Sequence, residues 1–475
     1  MKKWMIRALS ALLIAAFLPL SVLADEYDLS QGSVTVSTTK GADGSTQQDV
    51  SHKGTTKPDS NPIITSKGQK TDNTITIKAG AGTTANVTIK DANISASSGK
   101  AAIKTGGEGN VNLNVEGTNT VSSGSNYAGV EKANAGNLTI GSESGSGELT
   151  ANGGWHGAGI GGGHYRDAND ITITGGEVTA NGGDGAAGIG GGYYSYGKDI
   201  TISGGKVVAN GSGSAAGIGG GHYGNGSNIT ISGGEVTATG GDYGAGIGGG
   251  YYGNGSNITI SGGEVTATGG DCGAGIGGGY GRGGSNIAIS KDSQVEAVGG
   301  AVGGAGGSSD GCGAAIGNGG NNNRVNGSEI EPDTSGLYTT GKVERKHGNG
   351  TVLDTITGTV DPSAKPASSE EEPDKREPLY RVLNLDGSSL KHQAQKADGV
   401  LALTAKADGA ILTGTLRALG YLQNQGIEKI TFTDGTHSAE LVLSELIAKG
   451  QPEDVYVLTL GAENTLTLNG ETIDF

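Results

Sequence analysis

The sequence predicts an all-β protein: a right-handed parallel β-helix followed by a small C-terminal α+β domain. The first observation is a fixed period of 29 residues between Trp155 and Gly320, where residues 227–255 and 256–284 are identical at 25 of 29 positions. The second is that each unit holds three short runs of alternating apolar and polar residues, a pattern typical of strands. The third is that glycine, with 95 of 475 residues, separates these runs. Such a period indicates stacked units that bury their apolar faces only against their neighbours.

The unit at residues 227–255 shows what one turn must contain. Residues 228–232 and 235–239 alternate apolar and polar side chains, and residues 245–247 form a shorter alternation. Glycine fills eleven of the 29 positions, which excludes an α-helix of useful length. We therefore predict three strands and three glycine-rich corners per turn, with successive turns about 4.8 Å apart. The side chains expected to face inward are Ile229 with Ile231, Val236 with Ala238, and Ala245 with Ile247.

The period extends backward beyond the region of high identity. Its marker is an isoleucine followed by glycine, which recurs every 29 residues from Ile160 to Ile276 and continues back to Val130 and Ile103. We therefore predict about eight turns between residues 73 and 326. A polar position before the first strand of each turn predicts a ladder of side-chain amides that satisfies the corner backbone. Its residues are Asn86, Asn110, Asn137, Asp170, Asp199, Asn228, Asn257 and Asn286.

The segments around the repeat predict the remaining organisation. Residues 1–24 combine a basic start, an apolar run and a final alanine, which is typical of a secretory signal peptide. Residues 25–72 are expected to form a lead-in that caps the helix, residues 327–360 to hold closing strands, and the Pro- and Glu-rich residues 361–378 to form a linker. We therefore expect a secreted protein, free or associated with the cell surface.

Residues 379–475 predict a separate α+β domain of ordinary size. Leucines 412, 416, 419 and 422 stand at helical spacing within residues 410–425. Strand patterns occur at residues 381–385, 400–404, 429–433, 455–460 and 464–468.

Charge and apolar content argue against two classes of partner. Asp and Glu number 48 against 32 Lys and Arg, a net charge of −16, which disfavours nucleic acid because no basic patch offsets the excess. After the predicted signal peptide no apolar run approaches the length that spans a membrane.

Two columns of acidic residues are the only candidates for catalysis or metal binding. Carboxyl pairs on adjacent turns suit a glycosidase, but outward acids copied by duplication are more typical of a solvated face. We expect no catalytic residue and no cofactor, with calcium the one ion left open at the Asp column. The columns are Asp184, Asp242 and Asp271, and Glu177, Glu235 and Glu264, the latter interrupted by Lys206.

Aromatic residues four and five positions after each marker isoleucine are the candidate ligand-binding residues. Stacked on successive turns, they would form a flat ribbon on which the C–H face of a sugar ring packs, and we predict that this ribbon is more than half exposed on one side of the rod. The alternative is that they only shield a glycine-rich corner, and both interpretations predict the same placement. The residues are His164, Tyr165, Tyr193, Tyr194, His222, Tyr223, Tyr251, Tyr252 and Tyr280.

The two cysteines predict a disulfide bond between turns. Cys272 and Cys312 each stand four residues before a marker isoleucine, Ile276 and Ile316, although an eleven-residue insert separates the two turns. Equivalent positions about 4.8 Å apart fit the Cα separation of a disulfide, and a secreted protein keeps such a bond. Two unrelated buried thiols are the alternative.

The repeated strings resemble a known type of protein. Ile-Thr-Ile-Ser-Gly-Gly-Glu-Val-Thr-Ala-Thr-Gly-Gly (residues 258–270) and Gly-Ala-Gly-Ile-Gly-Gly-Gly (residues 273–279) are similar to turns of secreted β-helix surface proteins of anaerobic Gram-positive bacteria. The resemblance covers residues 73–326; it implies the fold and, as in β-helix carbohydrate-binding proteins, a carbohydrate ligand. The pectate-lyase-like enzymes share this fold, but their basic catalytic constellation is not found in this sequence.

We therefore interpret the chain as a non-enzymatic, secreted or surface β-helix protein that binds polysaccharide or host glycan through the aromatic residues. One alternative is a structural spacer, or adhesin stalk, that displays the C-terminal domain. Another is a polysaccharide lyase or hydrolase that uses the surface acids.

Overall fold

The computed structural model describes residues 25–301, 313–320, 326–360, 380–386, 388, 390–397, 399–424, 427–450 and 454–473. The chain divides into two compact units, the first ending at residue 364 and the second beginning at residue 365. The predicted signal peptide (1–24) and linker (361–378) lie outside the described residues.

The first unit is a parallel β-solenoid built from three sheets, each of which receives a strand from almost every turn. Sheet A has the strands Glu26–Asp28, Ile63–Thr65, Thr84–Lys90, Asn110–Glu116, Leu138–Gly141, Ile171–Ile173, Gly197–Ile202, Gly226–Ile231, Gly255–Ile260 and Gly284–Ile289. Sheet B has the strands Val34–Lys40, Thr46–His52, Thr55–Pro58, Ile75–Ala79, Ile103–Gly107, Val130–Glu131, Ile160–Gly161, Ile189–Gly190, Ile218–Gly219, Ile247–Gly248, Ile276–Gly277 and Ile316–Gly317. Sheet C has the strands Lys70–Thr71, Asn93–Ser95, Thr118–Ser122, Glu148–Asn152, Glu177–Asn181, Lys206–Asn210, Glu235–Thr239, Glu264–Thr268, Gln294–Val298, Lys342–Lys346 and Val352–Thr357.

The register of the sheets confirms the predicted parallel β-helix and its inward columns. In the unit at residues 227–255, Ile229 pairs with Ile258 on sheet A, Val236 with Val265 on sheet C, and Ile247 with Ile276 on sheet B. All the residues predicted to face inward in that unit are buried. The core is therefore one continuous column of Ile, Val, Leu and Ala that runs through the solenoid.

The solenoid has about eleven turns, so the expectation of about eight was too low. The additional turns include residues 25–72, whose strands Glu26–Asp28, Val34–Lys40 and Lys70–Thr71 belong to sheets A, B and C. These residues pair in register with the later turns but lack the 29-residue spacing and the glycine marker. The solenoid therefore includes turns in which the 29-residue sequence repeat can no longer be recognised.

The glycine of the Ile-Gly marker is required by the close approach of neighbouring turns. Gly190, Gly219 and Gly248 have φ angles of 138°, 132° and 137°, which side chains rarely allow. A Cβ atom on Gly219 would stand 2.1 Å from the carbonyl oxygen of Gly248. Any other residue there would push two turns apart, which explains why the marker persists.

The predicted amide ladder forms over the regular turns. The side-chain Nδ2 of each asparagine donates to the Oδ1 of the equivalent residue one turn earlier. These bonds run from Asn228 to Asp199 (2.9 Å), from Asn257 to Asn228 (3.1 Å) and from Asn286 to Asn257 (3.0 Å). The assignment of Asn86 to this ladder was wrong. Asn86 pairs with Asn112 rather than Asn110, because the earlier turns differ in length.

Antiparallel strands flank the parallel stack at both ends. At one end the antiparallel strands Thr46–His52 and Thr55–Pro58 extend sheet B. At the other, the predicted closing segment continues sheet C with the parallel strand Lys342–Lys346, on which Val352–Thr357 pairs antiparallel. Arg345, only 3% exposed, ties this end together through ion pairs with Asp354, Glu331 and Glu329.

In its described residues the second unit has two small sheets and two short helices around its own core. Its described helices, Leu416–Asn424 and Leu443–Ile447, are not of the length and apolarity that cross a membrane. The helix predicted over residues 410–425 begins only at Leu416, because Ala410–Thr415 is a strand paired with Val455–Leu460. The two sheets consist of Arg381–Leu383, Ala410–Thr415, Val455–Leu460, Thr465–Leu468 and Glu471–Ile473, and of His392–Ala397, Val400–Ala405, Lys429–Thr433 and Ser438–Val442.

Candidate functional site: an aromatic ladder at a solenoid corner

The predicted aromatic residues lie at the corner that leads from sheet B to sheet A. In the four turns from Ile160 to Ile247 the marker Ile-Gly is followed by two glycines and two large side chains before the next sheet A strand, and in the turn of Ile276 the second of these positions is Gly281. We call the first of these positions the inner column and the second the outer column. The inner column is His164, Tyr193, His222, Tyr251 and Tyr280, and the outer column is Tyr165, Tyr194, Tyr223 and Tyr252.

The outer column is a stack of nearly parallel rings. Ring centroids are 5.7 Å apart between Tyr165 and Tyr194, 5.3 Å between Tyr194 and Tyr223, and 5.8 Å between Tyr223 and Tyr252. The interplanar angles of these three pairs are 12°, 2° and 7°. Hydrogen bonding between turns fixes this spacing, since the Tyr223 amide donates to the Tyr251 carbonyl at 2.9 Å.

All four outer tyrosines have a left-handed backbone conformation. Their φ angles are 58°, 63°, 59° and 54°, in a region that a bulky side chain enters only at a cost of order 1–3 kcal/mol. In the next turn the same corner is occupied by Gly281, with φ of 67°. The corner therefore does not need tyrosine, and glycine would form it without strain.

The inner column covers the backbone of the neighbouring corner, which leads from sheet C to sheet B. The rings of Tyr193 and His222 stack at 5.0 Å and 8°, and those of His222 and Tyr251 at 5.2 Å and 12°. A Cβ atom on Gly185 would stand 2.3 Å from the Tyr193 ring, so this ring lies directly on that corner. The last member, Tyr280, packs against Cys272 and is 5% exposed.

The two columns therefore differ in exposure, which corrects the prediction of a single ribbon that is more than half exposed. Only Tyr165 exceeds one half, at 69%, and exposure falls to 38% at Tyr252. The inner residues are half-buried from His164 to Tyr251, and Tyr280 is buried. The shielding interpretation fits the inner column, whereas the outer column presents its rings to solvent.

Burial shifts the titration of the inner column away from neutral pH. Burial lowers the pKa of His164 and of His222, so both imidazoles are uncharged at neutral pH. It also raises the pKa of Tyr193 and of Tyr251 to about 12, with a smaller contribution from the adjacent outer tyrosines. The phenols thus stay protonated and act as hydrogen-bond donors.

Several residues beside the outer column were missed by the sequence analysis. Tyr196, 48% exposed, lies near Tyr223, and Arg282 places its guanidinium carbon 5.7 Å from the Tyr252 ring centre. Trp155, 60% exposed, instead contacts His156, whose ring stacks on Tyr193 of the inner column. A shallow groove of about 520 Å³ runs beside Tyr223 and Tyr252. The sequence did contain a signal for Tyr196. It stands seven residues after the marker Ile189, and the equivalent positions of the next two turns are Asn225 and Asn254, so Tyr196 is an aromatic residue where those turns have asparagine.

The acidic columns are interrupted along the stack. Gly213 separates Asp184 from Asp242 along the stack, while burial and the adjacent Asp242 raise the pKa of Asp271. Within the described residues no group of three or more His, Cys, Asp or Glu is placed to hold a metal ion. In the other column Glu177 is exposed and faces Lys206 across 3.7 Å.

Cys272 is disulfide-bonded in the structure. Cys312, the only other cysteine of the chain, lies outside the described residues, so the Cys272–Cys312 pairing stays a prediction. The two turns concerned do pair in register, Ile276 with Ile316.

Comparison with known families supports the fold. Five segments match the model of a beta helix repeat, at residues 144–164, 171–193, 200–222, 229–251 and 258–280. The chain is a parallel β-helix protein. Each matched segment of this β-helix protein ends on a residue of the inner column, and none includes the outer column. No curated protein and no solved structure matches the chain.

Proposed function

We propose that this β-helix protein is secreted or held at the cell surface, that it binds a polysaccharide or glycan through the outer column, and that it has no catalytic activity. The observation that supports this is the left-handed backbone of four exposed tyrosines at a corner where the chain elsewhere uses Gly281. A residue that strains the backbone persists when its side chain has a role that the fold alone does not supply.

The geometry of the outer column suits a sugar chain. Because the parallel rings stack on one another at centroid spacings of 5.3 to 5.8 Å, their outward edges form a continuous apolar ridge along the corner. A pyranose packs its C–H face on such an apolar surface, and phenol groups can bond to its hydroxyl groups. Exposed aromatic surface arranged along one line is typical of a binding site rather than of scattered surface residues.

The test is glycan binding by the mature chain and by a variant with Tyr194, Tyr223 and Tyr252 replaced by glycine. Glycine removes the rings and relieves the backbone, so folding stability should not fall. We expect the Kd to rise about fivefold per ring, since each aromatic contact contributes about 1 kcal/mol. The matched control is Lys291→Gly, which changes a left-handed corner residue (φ 58°) outside the ladder and should leave the Kd unchanged.

An unchanged Kd in the triple glycine variant, with unchanged folding, would assign the outer column to structure. That result would favour a spacer that displays the C-terminal unit, an alternative supported by the division of the chain into two compact units.

The non-catalytic part of the proposal has its own test. Oligosaccharides incubated with the protein should keep their length. Shortening that disappears in Asp242→Asn would instead indicate a lyase or hydrolase.

A further inference from the structure

The groove beside the outer column has an unusual lining for this chain. It is formed by Tyr196, Tyr223, Asn225, Tyr252, Asn254 and Arg282. None of these residues is acidic, although acidic residues exceed basic ones by 48 to 32 in the chain. The groove therefore combines aromatic faces, amide groups and one positive charge.

Arg282 is held in place but keeps its charged end available. Its Nε donates to the carbonyl of Tyr252 at 3.1 Å, and its guanidinium carbon lies 5.7 Å from the centre of the Tyr252 ring. Within the described part of the chain its two terminal nitrogens donate to no protein group. A guanidinium oriented in this way is suited to a carboxylate or sulfate, because little further ordering is needed.

The two asparagine side chains of the groove each use only their oxygen atom for hydrogen bonding within the protein. The Oδ1 of Asn225 accepts from the Asn254 amide at 2.8 Å, and the Oδ1 of Asn254 accepts from the Gly283 amide at 3.2 Å. These bonds orient both side chains and leave each Nδ2 without a partner among the described residues. Both can donate to sugar hydroxyl groups along the groove.

The opposite end of the ladder is different. Arg166, which follows Tyr165, has its Nε 3.9 Å from the buried Glu131 carboxylate, and Asp167 comes next in the chain. The Glu131 carboxylate therefore partly offsets the positive charge at that end. No carboxylate among the described residues lies within ion-pair distance of Arg282, so its charge is the less compensated of the two.

We propose that the groove binds a saccharide carrying a single anionic group, a carboxylate or a sulfate, which pairs with Arg282 while neutral rings lie on Tyr252 and Tyr223. This inference rests on the proposed glycan binding and adds a direction and a chemical class to it. A polyanionic chain is disfavoured, since its further charges would meet only the excess negative charge of the protein.

The experiment compares four ligands on the mature chain: a neutral oligosaccharide, the same oligosaccharide with one terminal carboxylate or one terminal sulfate, and a polyuronate. We expect at least one singly charged ligand to bind roughly fivefold more tightly than the neutral one, with an advantage that shrinks as salt is added. The tighter of the two identifies the anionic group. The polyuronate should bind no better than the neutral ligand.

Substitutions locate the effect. Arg282→Gln should remove the advantage of the charged ligand and leave neutral binding within about twofold, whereas Arg282→Lys should retain part of it. Arg166→Gln is the matched control and should change neither. An advantage that survives in Arg282→Gln, or tightest binding of the polyuronate, would overturn the inference. Equal binding of the neutral and charged ligands would also overturn it while the proposed function stands. If no ligand binds, the proposed function fails with it.

Discussion

The inner and outer columns of the aromatic ladder are neighbours in sequence and differ in almost every physical respect. Tyr193 and Tyr194 are adjacent tyrosines whose ring planes are perpendicular, with centroids 4.4 Å apart. The first is half-buried against the glycine corner of the neighbouring strand connection, and the second is exposed in a left-handed backbone conformation. Tyr193 therefore supplies the side-chain packing that the glycines of the corner lack, whereas Tyr194 is exposed to solvent.

The difference shows how a solenoid separates stability from binding over two residues. At this corner the left-handed outer residue is exposed, whereas the residue before it keeps its ring over the neighbouring backbone. Because each turn repeats this arrangement, one column grows as a buried stack and the other as an exposed one. A contribution to stability is thus expected from the inner column and a contribution to affinity from the outer one.

The largest expected effect is at the end of the inner column, where Tyr280 packs against Cys272. Replacing Cys272 by Ser breaks its disulfide, and we expect the free energy of unfolding to fall by up to about 4 kcal/mol for a loop of about 40 residues. Chemical denaturation with and without reductant measures this loss. The inner column next to the bond should loosen first, while glycan binding at Tyr194 and Tyr223 is retained.

Thiol titration decides whether Cys312 is the partner. The denatured, unreduced secreted protein should show no free thiol, and Cys272→Ser should show one. Two free thiols in the unreduced wild type would refute the bond, and so would an unchanged unfolding midpoint in the variant.

The sequence supplied most of this architecture and less of the site. Three strands per turn, the inward columns and the amide ladder from Asp199 to Asn286 follow from periodicity, since identical residues one period apart must share an environment. The number of turns did not follow, because the first turns keep the register of Ile75 with Ile103 without keeping the period or the glycines.

The opposite exposures of the two columns were not available from periodicity either. The positions of His222 and Tyr223 recur with the same spacing, so periodicity alone predicts the same exposure for both. The two residues differ in backbone conformation, with a φ of 59° at Tyr223, and periodicity does not report a backbone angle. Arg282 is not predictable from periodicity for a related reason: it occurs only once beside the groove, and the equivalent positions of the three preceding turns do not repeat it.

A pair of substitutions sharpens the contrast between the columns. Tyr251→Ala removes a half-buried ring that stacks on His222, and we expect a loss of about 2 kcal/mol in the free energy of unfolding, below that of a fully buried aromatic residue. Tyr252→Ala, one residue later, should change stability by less than about 0.5 kcal/mol. Glycan affinity should show the reverse order. Equal stability losses for the two variants would contradict the division of roles.

The smallest expected effect is the dependence of stability on pH that arises from His222 in the inner column. The His222 ring lies between Tyr193 and Tyr251, and burial lowers its pKa below the ordinary value of 6.5, with Asp184 opposing the shift. Above pH 6.5 the imidazole is neutral in the folded and the unfolded chain, so the full stability is present. As the pH falls below 6.5 the unfolded chain binds the proton first, and stability decreases until the folded pKa is passed.

His222→Tyr gives the column the residue that it has in the turns before and after. In this variant the unfolding midpoint should depend less steeply on pH below 6.5 than it does in the wild type. A midpoint that falls equally in the wild type and in His222→Tyr between pH 7 and pH 5 would show that the decrease comes from carboxylates elsewhere in the solenoid.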